Sequence, residues 1–260
     1  MAALRLGLIP RGSNDDEREL VAAFAAAFGQ DVDLHRAADY GVVLAGLKQG
    51  LVDVAWLPPL VAGRALRASV ADPVAVVVRY GVTSYKTVLV VPPASPLHAV
   101  ADLRGARVAW VDRESASGYA VVRTALQRAG VRLTEAFGSE TFVRSHAAVA
   151  RAVLEGQVDV GATCAHLEDG AVRFARTPAP GDTGLAASDL RVLFEAGPIP
   201  SDVIAVRRSA PARVRSVVEG ALLRGEPARL HAAARAYVDA DTFATPTAEH
   251  RRLLASLVDD

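Results

Sequence analysis

A short pattern near position 50 recurs about a hundred residues later, and this repeat constrains the fold more than any other feature of the chain. Gly50-Leu-Val-Asp-Val-Ala55 is followed, 106 residues on, by Gly156-Gln-Val-Asp-Val-Gly161. Each copy lies between an apolar helical segment and a strand, and the strands that open the two halves repeat with an offset of 102 residues. The repeat predicts two similar α/β lobes, although any tight turn from a helix into a strand can carry the same pattern.

Strands and helices alternate along the chain. β-Branched runs such as Val74–Tyr80 and Thr87–Val91 predict buried strands. Helices are predicted over Asp15–Phe28, Tyr40–Gln49 and Ser145–Glu155, each closely followed by a glycine. A polar stretch containing proline and glycine, Thr177–Ser188, interrupts the alternation. An alternation of this kind predicts an α/β protein with mostly parallel sheets and helices on both faces.

The length of the chain is compatible with one or two domains. At about 150 residues per domain, 260 residues fall between these two numbers, and the repeat favours two. Crossovers at about 81–91 and 194–203 predict one lobe of residues 1–83 and 204–260 and a second lobe of residues 84–203. Two connecting segments permit hinge closure around a ligand.

The predicted topology indicates where a ligand would bind. In open parallel sheets, ligands lie beyond the carboxyl ends of the strands. Two facing lobes would bring four helix starts to one cleft, near Ser13, Tyr40, Ser117 and His146. Each helix start offers unpaired amide N–H groups and about half a positive charge. The cleft therefore suits an anion such as a phosphate, phosphonate, sulfate or carboxylate.

Composition excludes several classes of protein. Lys+Arg and Asp+Glu number 29 each, so the net charge is zero and the chain has no surplus of cations for a nucleic-acid partner. With 51% hydrophobic and 22% charged residues, the chain can bury a large core and is not intrinsically disordered. No apolar run approaches the ~18–20 residues of a membrane span.

The N-terminus and the cysteine count bear on the compartment. Met1 is followed almost at once by the predicted strand Leu4–Ile9, without the basic head, apolar run and cleavage site of a secretory signal. We therefore expect either a cytoplasmic protein or a mature chain. Cys164 is the only cysteine, and the histidines lack metal-ligand spacing, so we expect no disulfide, metal or cofactor.

One loop combines hydroxyl groups and glycine between a strand and a helix. Strand Ala106–Val111 leads into Asp112-Arg-Glu-Ser-Ala-Ser-Gly-Tyr119, whose hydroxyls and amides can surround an oxyanion. Simple capping of the helix by a serine is the alternative. The loop lacks the Gly-Lys-Ser/Thr ending of a Walker A motif and the Gly-x-Ser-x-Gly of a nucleophile elbow.

A succession of stretches carries a family resemblance over most of the chain, to about Arg207. They are Tyr40-Gly-Val-Val-Leu44, Gly50-Leu-Val-Asp-Val-Ala-Trp-Leu-Pro-Pro59, Tyr85-Lys-Thr-Val-Leu-Val-Val91, Asp102-Leu-Arg-Gly105, the loop Asp112–Tyr119, Ser145-His-Ala-Ala-Val149, Gly156-Gln-Val-Asp-Val160 and Pro198-Ile-Pro-Ser-Asp202. In this order they resemble the phosphate/phosphite/phosphonate-binding proteins of ABC importers, the PhnD-like group of periplasmic binding proteins. The resemblance implies a two-lobed, type II periplasmic-binding-protein-like fold, with a ligand cleft between lobes that close about a hinge.

The resemblance also implies which residues of the second lobe hold the ligand. Ser115 and Ser117 match hydroxyls that clasp the phosphonate oxygens, with the amides of Gly118 and Tyr119 beside them. His146 matches a histidine that begins a helix of the second lobe. Ala116 stands where a hydroxyl residue is usual, which removes one donor.

Four further positions complete the implied ligand-binding set. Tyr40 and Tyr85 match aromatic hydroxyls that reach the ligand from the first lobe and from the crossover. Asp202 matches a carboxylate that helps to hold the ammonium group in aminoethylphosphonate binders. The second such carboxylate would fall at about His166, so phosphate, phosphite, another phosphonate or a carboxylate stay open as ligands.

The function implied by the resemblance is capture of a small oxyanion for an ABC importer, without catalysis. The partners are then a small anionic ligand and an ABC permease and ATPase, and the location is the periplasm or the cell surface. Two alternatives stay open. One is a cytoplasmic enzyme on the same fold, as in the menaquinone pathway, with His146 as acid or base. The other is a ligand-sensing module, because fold alone does not determine function.

Overall fold

Two α/β units make up the chain in the computed structural model, which describes residues 3–10, 13–168, 171–174, 189–225 and 227–258. Unit 1 comprises residues 1–83 and 200–260, and unit 2 comprises residues 84–199. Asp202, expected from the sequence in the second lobe, therefore belongs to unit 1. There the Ser201 amide donates to the Thr83 carbonyl, and the Val77 amide donates to the Asp202 carbonyl. Thr177–Ser188 lies outside the described residues.

Unit 1 contains a six-stranded sheet with helices on both faces. Its strands are β1 (Leu4–Leu8), β2 (Val32–Arg36), β3 (Val54–Leu57), β4 (Ala71–Val78), β11 (Val203–Arg207) and β12 (Thr242–Ala244), and its helices are α1 (Asn14–Phe28), α2 (Tyr40–Gln49), α3 (Pro59–Arg67), α7 (Ala212–Glu219), α8 (Ala228–Val238) and α9 (Ala248–Ser256). A π-helical turn, Gly220–Arg224, follows α7. The strand order is β12-β4-β11-β3-β1-β2.

The sheet of unit 1 is parallel among the N-terminal strands β1, β2 and β3, and antiparallel where β11 and β12 join it. β1 pairs in parallel with β2 and β3. β11, which follows the second crossing, runs antiparallel to β3 and β4, and β12 runs antiparallel to β4. Side chains alternate between the faces: Val54 and Trp56 join the core under α1 and α8, whereas Ala55 and Leu57 join the core under α2 and α3.

Unit 2 contains a second mixed sheet. Its strands are β5 (Ser84–Val91), β6 (Ala106–Trp110), β7 (Phe137–Phe142), β8 (Val160–Glu168), β9 (Ala171–Phe174) and β10 (Arg191–Pro200), and its helices are α4 (Val121–Arg128), α5 (Leu133–Ala136) and α6 (His146–Leu154). Short turns, 3₁₀ at Val100–Leu103 and π at Ala116–Ala120, precede β6 and α4. The strand order is β10-β5-β8-β6-β7, and β9 pairs with β8.

The two faces of the second sheet are covered by different helices, α6 on one face and α4 on the other. β6 pairs in parallel with β7 and β8, and β5 runs antiparallel to β8. Val88 and Val90 of β5 pack in the core with α6, whereas Leu89 and Val91 pack with α4. Because β8 follows the same alternation, its odd-numbered residues face α6 and its even-numbered residues face α4.

The recurring Gly-x-Val-Asp-Val pattern has the same role in both units. Asp53 accepts hydrogen bonds from Arg5 Nε at 2.8 Å and from the Arg5 amide, and Asp159 accepts from the Arg107 amide at 2.8 Å and from its guanidinium. Burial opposes ionisation of Asp53, but hydrogen bonds from Arg5 and Arg207 hold its pKa below the usual value. The Arg107 hydrogen bond lowers the pKa of Asp159. These pairs tie together the amino ends of the parallel strands, at the edge opposite the predicted ligand site.

Candidate ligand-binding site

The loop after β6 is held in one conformation by hydrogen bonds and close packing. Ser115 Oγ accepts from the Gly118 amide at 3.0 Å, and Thr87 Oγ1 donates to the Ser117 carbonyl at 2.6 Å. A Cβ atom at Gly118 would lie 2.4 Å from Val111 Cγ2, so the backbone approaches the strand more closely than an alanine allows. The loop is therefore preorganised at the carboxyl end of β6.

The two serines of this loop have different roles. Ser115 is the N-cap of the turn Ala116–Ala120, so its oxygen already accepts one hydrogen bond. Ser117 is only 2% exposed, and no hydrogen bond to its Oγ is present within the described residues. Within the described residues, the Ser117 hydroxyl is thus not used to cap the turn, in contrast to that of Ser115.

The Tyr119 side chain lies in an aromatic cluster beside the loop. Its ring packs edge-on against Trp110 at 5.6 Å between centroids and contacts Phe142 at 5.3 Å. Arg113 Nη1 donates to the Tyr119 hydroxyl at 3.2 Å, and the Arg123 guanidinium lies 4.9 Å from the ring centroid. The sequence assigns a ligand role to the amide of Tyr119, and the side chain supports the helix that begins here.

His146 lies at the carboxyl end of β7, as the first residue of α6. Ser145 caps this helix, because its Oγ accepts from the Ala148 amide at 3.1 Å. The His146 ring is half-buried, and its Nδ1 lies 3.0 Å from Oγ1 of Thr163 in β8. Thr163 itself is 3% exposed. The imidazole is thus anchored through Nδ1.

Tyr85 and His166 form a cross-strand pair where β5 begins. The register of β5 and β8 places them opposite one another, one step beyond Lys86 and Ala165. Their ring centroids lie 5.6 Å apart, and His166 is 2% exposed. Both face the α4 side of the sheet, as does Thr87, which donates to the loop. The family resemblance leads us to expect a carboxylate at about this position in binders of aminoethylphosphonate.

Asp202 lies at the carboxyl edge of the sheet of unit 1, inside a buried ion pair. Arg79 Nη2 donates to Asp202 Oδ2 at 2.9 Å, and Trp56 Nε1 donates to the same oxygen at 3.1 Å. The Arg79 and Asp202 side chains are 9% and 6% exposed. Arg79 also donates to the Val238 carbonyl at 3.2 Å. The charge of Asp202 is therefore compensated within unit 1.

Tyr40 is the first residue of α2, and Asp39 caps that helix by accepting from the Val42 amide at 2.9 Å. The Tyr40 ring is half-buried and packs on the core around Val43 and Leu47.

Seven of the nine predicted site residues lie in unit 2, around the carboxyl edge of its sheet, and Tyr40 and Asp202 lie in unit 1. Contact of each residue with a ligand stays a prediction.

Three residues that the sequence did not single out take part in these arrangements: Thr87, Thr163 and Arg79. Each acts on a site residue that is distant in sequence, so no local pattern predicts the contact. Thr87 and Thr163 appear in the sequence as ordinary β-branched strand residues. Within the described ranges, no cluster of His, Cys, Asp and Glu has the arrangement of a metal site, and no helix has the length and hydropathy to cross a bilayer.

Comparison with known proteins places this geometry in context. The model of the ABC transporter phosphonate periplasmic substrate-binding protein family matches residues 6–250. XAC2383 from Xanthomonas citri, bound to ATP, is 21% identical with a TM-score of 0.78, over 99% of this chain and 96% of that chain. A binding protein component of an ABC phosphonate transporter from Pseudomonas aeruginosa (PA3383) is 19% identical with a TM-score of 0.74, over 98% and 85%.

PhnD1 from Prochlorococcus marinus, in complex with methylphosphonate, is 16% identical with a TM-score of 0.70, over 98% of this chain and 96% of that chain. These likenesses show the fold, and with the two helix-flanked sheets they confirm the predicted type II class. The matched family consists of substrate-binding proteins of ABC transporters and not of enzymes. The chain belongs to the family of phosphonate periplasmic substrate-binding proteins of ABC transporters.

Proposed function

We propose that this protein captures a small tetrahedral oxyanion without an ammonium group, such as phosphate, phosphite or an unsubstituted alkylphosphonate, and presents it to an ABC permease and ATPase. The observation that carries the proposal is Ser117, a buried serine in a closely packed, hydrogen-bonded loop at the start of a helix. Hydroxyls and amides at a helix start stabilise negative charge without a basic side chain.

The surroundings of the loop support the same class of ligand. The Ala116–Ala120 turn and α6 both begin at the carboxyl edge of the sheet of unit 2, so two helix starts contribute partial positive charge there. The half-buried ring of His146 adds a nitrogen donor or acceptor at the same edge. Ligands of open α/β sheets bind at this edge.

The exclusion of an ammonium group rests on two residues. Holding an ammonium needs a carboxylate with uncompensated charge, and Asp202 is neutralised by Arg79 at 2.9 Å. At the other expected acidic position, His166 pairs with Tyr85 and brings no negative charge to attract a cation. We therefore expect aminoethylphosphonate to bind more weakly than methylphosphonate.

Two finer points belong to the proposal. We propose that Tyr40 contacts the ligand, as the sequence predicts. We also propose the periplasm or the cell surface as the location of the protein, in keeping with its family.

The test is a thermal-shift screen of the purified protein with phosphate, phosphite, methylphosphonate, aminoethylphosphonate and sulfate. An anion at a hundred times its Kd adds about 2.7 kcal/mol of stability, which raises Tm by roughly 5–10 °C for a chain of this size. We expect this shift with at least one phosphorus oxyanion and a smaller shift with aminoethylphosphonate. Absence of a shift with all five anions refutes the proposal.

The Ser117→Ala variant tests the carrying observation. A hydrogen bond to a charged group contributes about 1.5–3 kcal/mol, so we expect the Kd of the best anion to rise roughly ten- to hundredfold. Ser216→Ala is the matched control, because Ser216 is an exposed helical serine whose hydroxyl donates to the Ala212 carbonyl. Calorimetric titration measures both variants, and equal affinities would remove Ser117 from the site.

A further inference from the structure

The contact between His146 and Thr163 determines which nitrogen of His146 faces away from the sheet. His146 Nδ1 lies 3.0 Å from Thr163 Oγ1, so Nε2 is the nitrogen left to face a ligand. In a neutral imidazole one nitrogen carries the proton and the other accepts. The Thr163 hydroxyl can donate to Nδ1 or accept from it, so the contact itself is compatible with either tautomer.

The two tautomers differ in their interaction with an anion. A proton on Nδ1 would leave a lone pair on Nε2, and this lone pair would repel an oxyanion. A proton on Nε2 makes that nitrogen a hydrogen-bond donor, and Nδ1 then accepts from the Thr163 hydroxyl. Thr163 suits this arrangement because its hydroxyl can donate, is 3% exposed and carries no charge. A carboxylate in its place would bring negative charge to a site for anions.

We propose that Thr163 is a positioning residue for ligand binding: its hydroxyl donates to His146 Nδ1, holds the proton on Nε2 and thereby presents a neutral N–H donor to the ligand oxyanion. The inference rests on the proposed function, since it assigns His146 a role in holding the anion. Thr163 would contact the imidazole on the side opposite to the ligand and would not touch the ligand itself.

The first test is the tautomer in the ligand-free protein. ¹⁵N-histidine-labelled protein at a pH where His146 is neutral is expected to show a pyridine-type Nδ1 and a pyrrole-type Nε2, with His146→Gln assigning the signals. Thr163→Val removes the hydroxyl at nearly constant volume, and we expect the Nε2–H preference to weaken. Thr163→Ser keeps the hydroxyl and is expected to restore the wild-type pattern.

The second test is calorimetric titration with methylphosphonate and inorganic phosphate. Loss of one neutral hydrogen bond predicts a roughly five- to tenfold rise in Kd for Thr163→Val, with recovery in Thr163→Ser. In a His146→Gln background, Thr163→Val is expected to change the Kd by less than twofold, because its partner is gone.

The outcomes separate this inference from the proposed function. If wild-type protein binds neither these two anions nor phosphite, the proposed function fails, and the binding role of Thr163 fails with it. If the anions bind but Nδ1 carries the proton, or if Thr163→Val binds as tightly as wild type, the inference alone is overturned. An equal loss from Thr163→Val with and without His146 would also overturn it, since Thr163 would then act by another route.

Discussion

His250 lies near the start of α9 in unit 1, and acidification from pH 7 to pH 5 is expected to destabilise the protein through it. The residue is 4% exposed, and its Nε2 has no hydrogen-bond partner within the described residues. Burial and the charge of Arg251 lower the pKa of His250 from 6.5 to about 4, although a hydrogen bond to the backbone of Ser201 acts in the opposite direction.

The sign and size of the effect follow from proton linkage. Below pH 6.5 the unfolded chain binds a proton at this position, whereas the folded protein does not until about pH 4. Stability is therefore highest above pH 6.5 and falls as the pH is lowered towards 4. Between pH 7 and pH 5, His250 alone is expected to cost about 2 kcal/mol, or roughly 4–8 °C in Tm.

The assay compares thermal unfolding of wild type, His250→Gln and His98→Gln at pH 7, 6 and 5. Glutamine cannot titrate, so the stability gap between wild type and His250→Gln should shift by about 2 kcal/mol in favour of the variant between pH 7 and pH 5. His98 is exposed, so His98→Gln is the control for removing a histidine that is not buried. If His250→Gln keeps the pH dependence of wild type, the buried neutral state assigned to His250 is wrong.

Two further predictions concern the loop and the buried ion pair. Arg79→Met leaves Asp202 buried without its countercharge and should lower the free energy of unfolding, measured in urea titrations, by about 3–5 kcal/mol. The double variant Arg79→Met, Asp202→Asn should recover part of this lost stability. An equally large loss of stability in the double variant would argue against the ion pair. Gly118→Ala places a Cβ 2.4 Å from Val111 Cγ2 and should cost about 1–3 kcal/mol and weaken oxyanion binding; unchanged Tm and Kd would show that the loop is not closely packed.

Local structure was predictable because its signals are local. Residues Tyr40–Gln49 form a helix with the boundaries predicted from the sequence, since an aspartate caps its start and Gly50 ends it in a left-handed conformation. The Gly-x-Val-Asp-Val repeat also has a local basis, because each aspartate bonds the strand beside its own turn. β12 was not predicted from the sequence, because three residues that are stabilised by pairing with β4 leave no periodic pattern.

The candidate site was predictable as a set of positions but not as a set of roles. The pattern Ser-Ala-Ser-Gly indicates a helix start equally well for capping or for binding a ligand. The tertiary structure distinguishes the two serines. Ser115 Oγ accepts from the Gly118 amide, whereas the Ser117 carbonyl accepts from the Thr87 hydroxyl in β5. In the same way, the match of Asp202 to an ammonium-binding carboxylate does not reveal that Arg79 pairs with it.

The sequence by itself determined the α/β class, the repeat, the helix starts at one edge of each sheet and the family, because periodicity, caps and turn residues act over a few positions. Only the tertiary structure decided which polar groups compensate one another. Arg79 and Asp202 are 123 residues apart in the sequence. The contact between His146 and Thr163 joins the start of α6 to β8. Such contacts depend on how strands pair and helices pack, and a buried charge or imidazole takes its chemistry from the partner that packing brings to it.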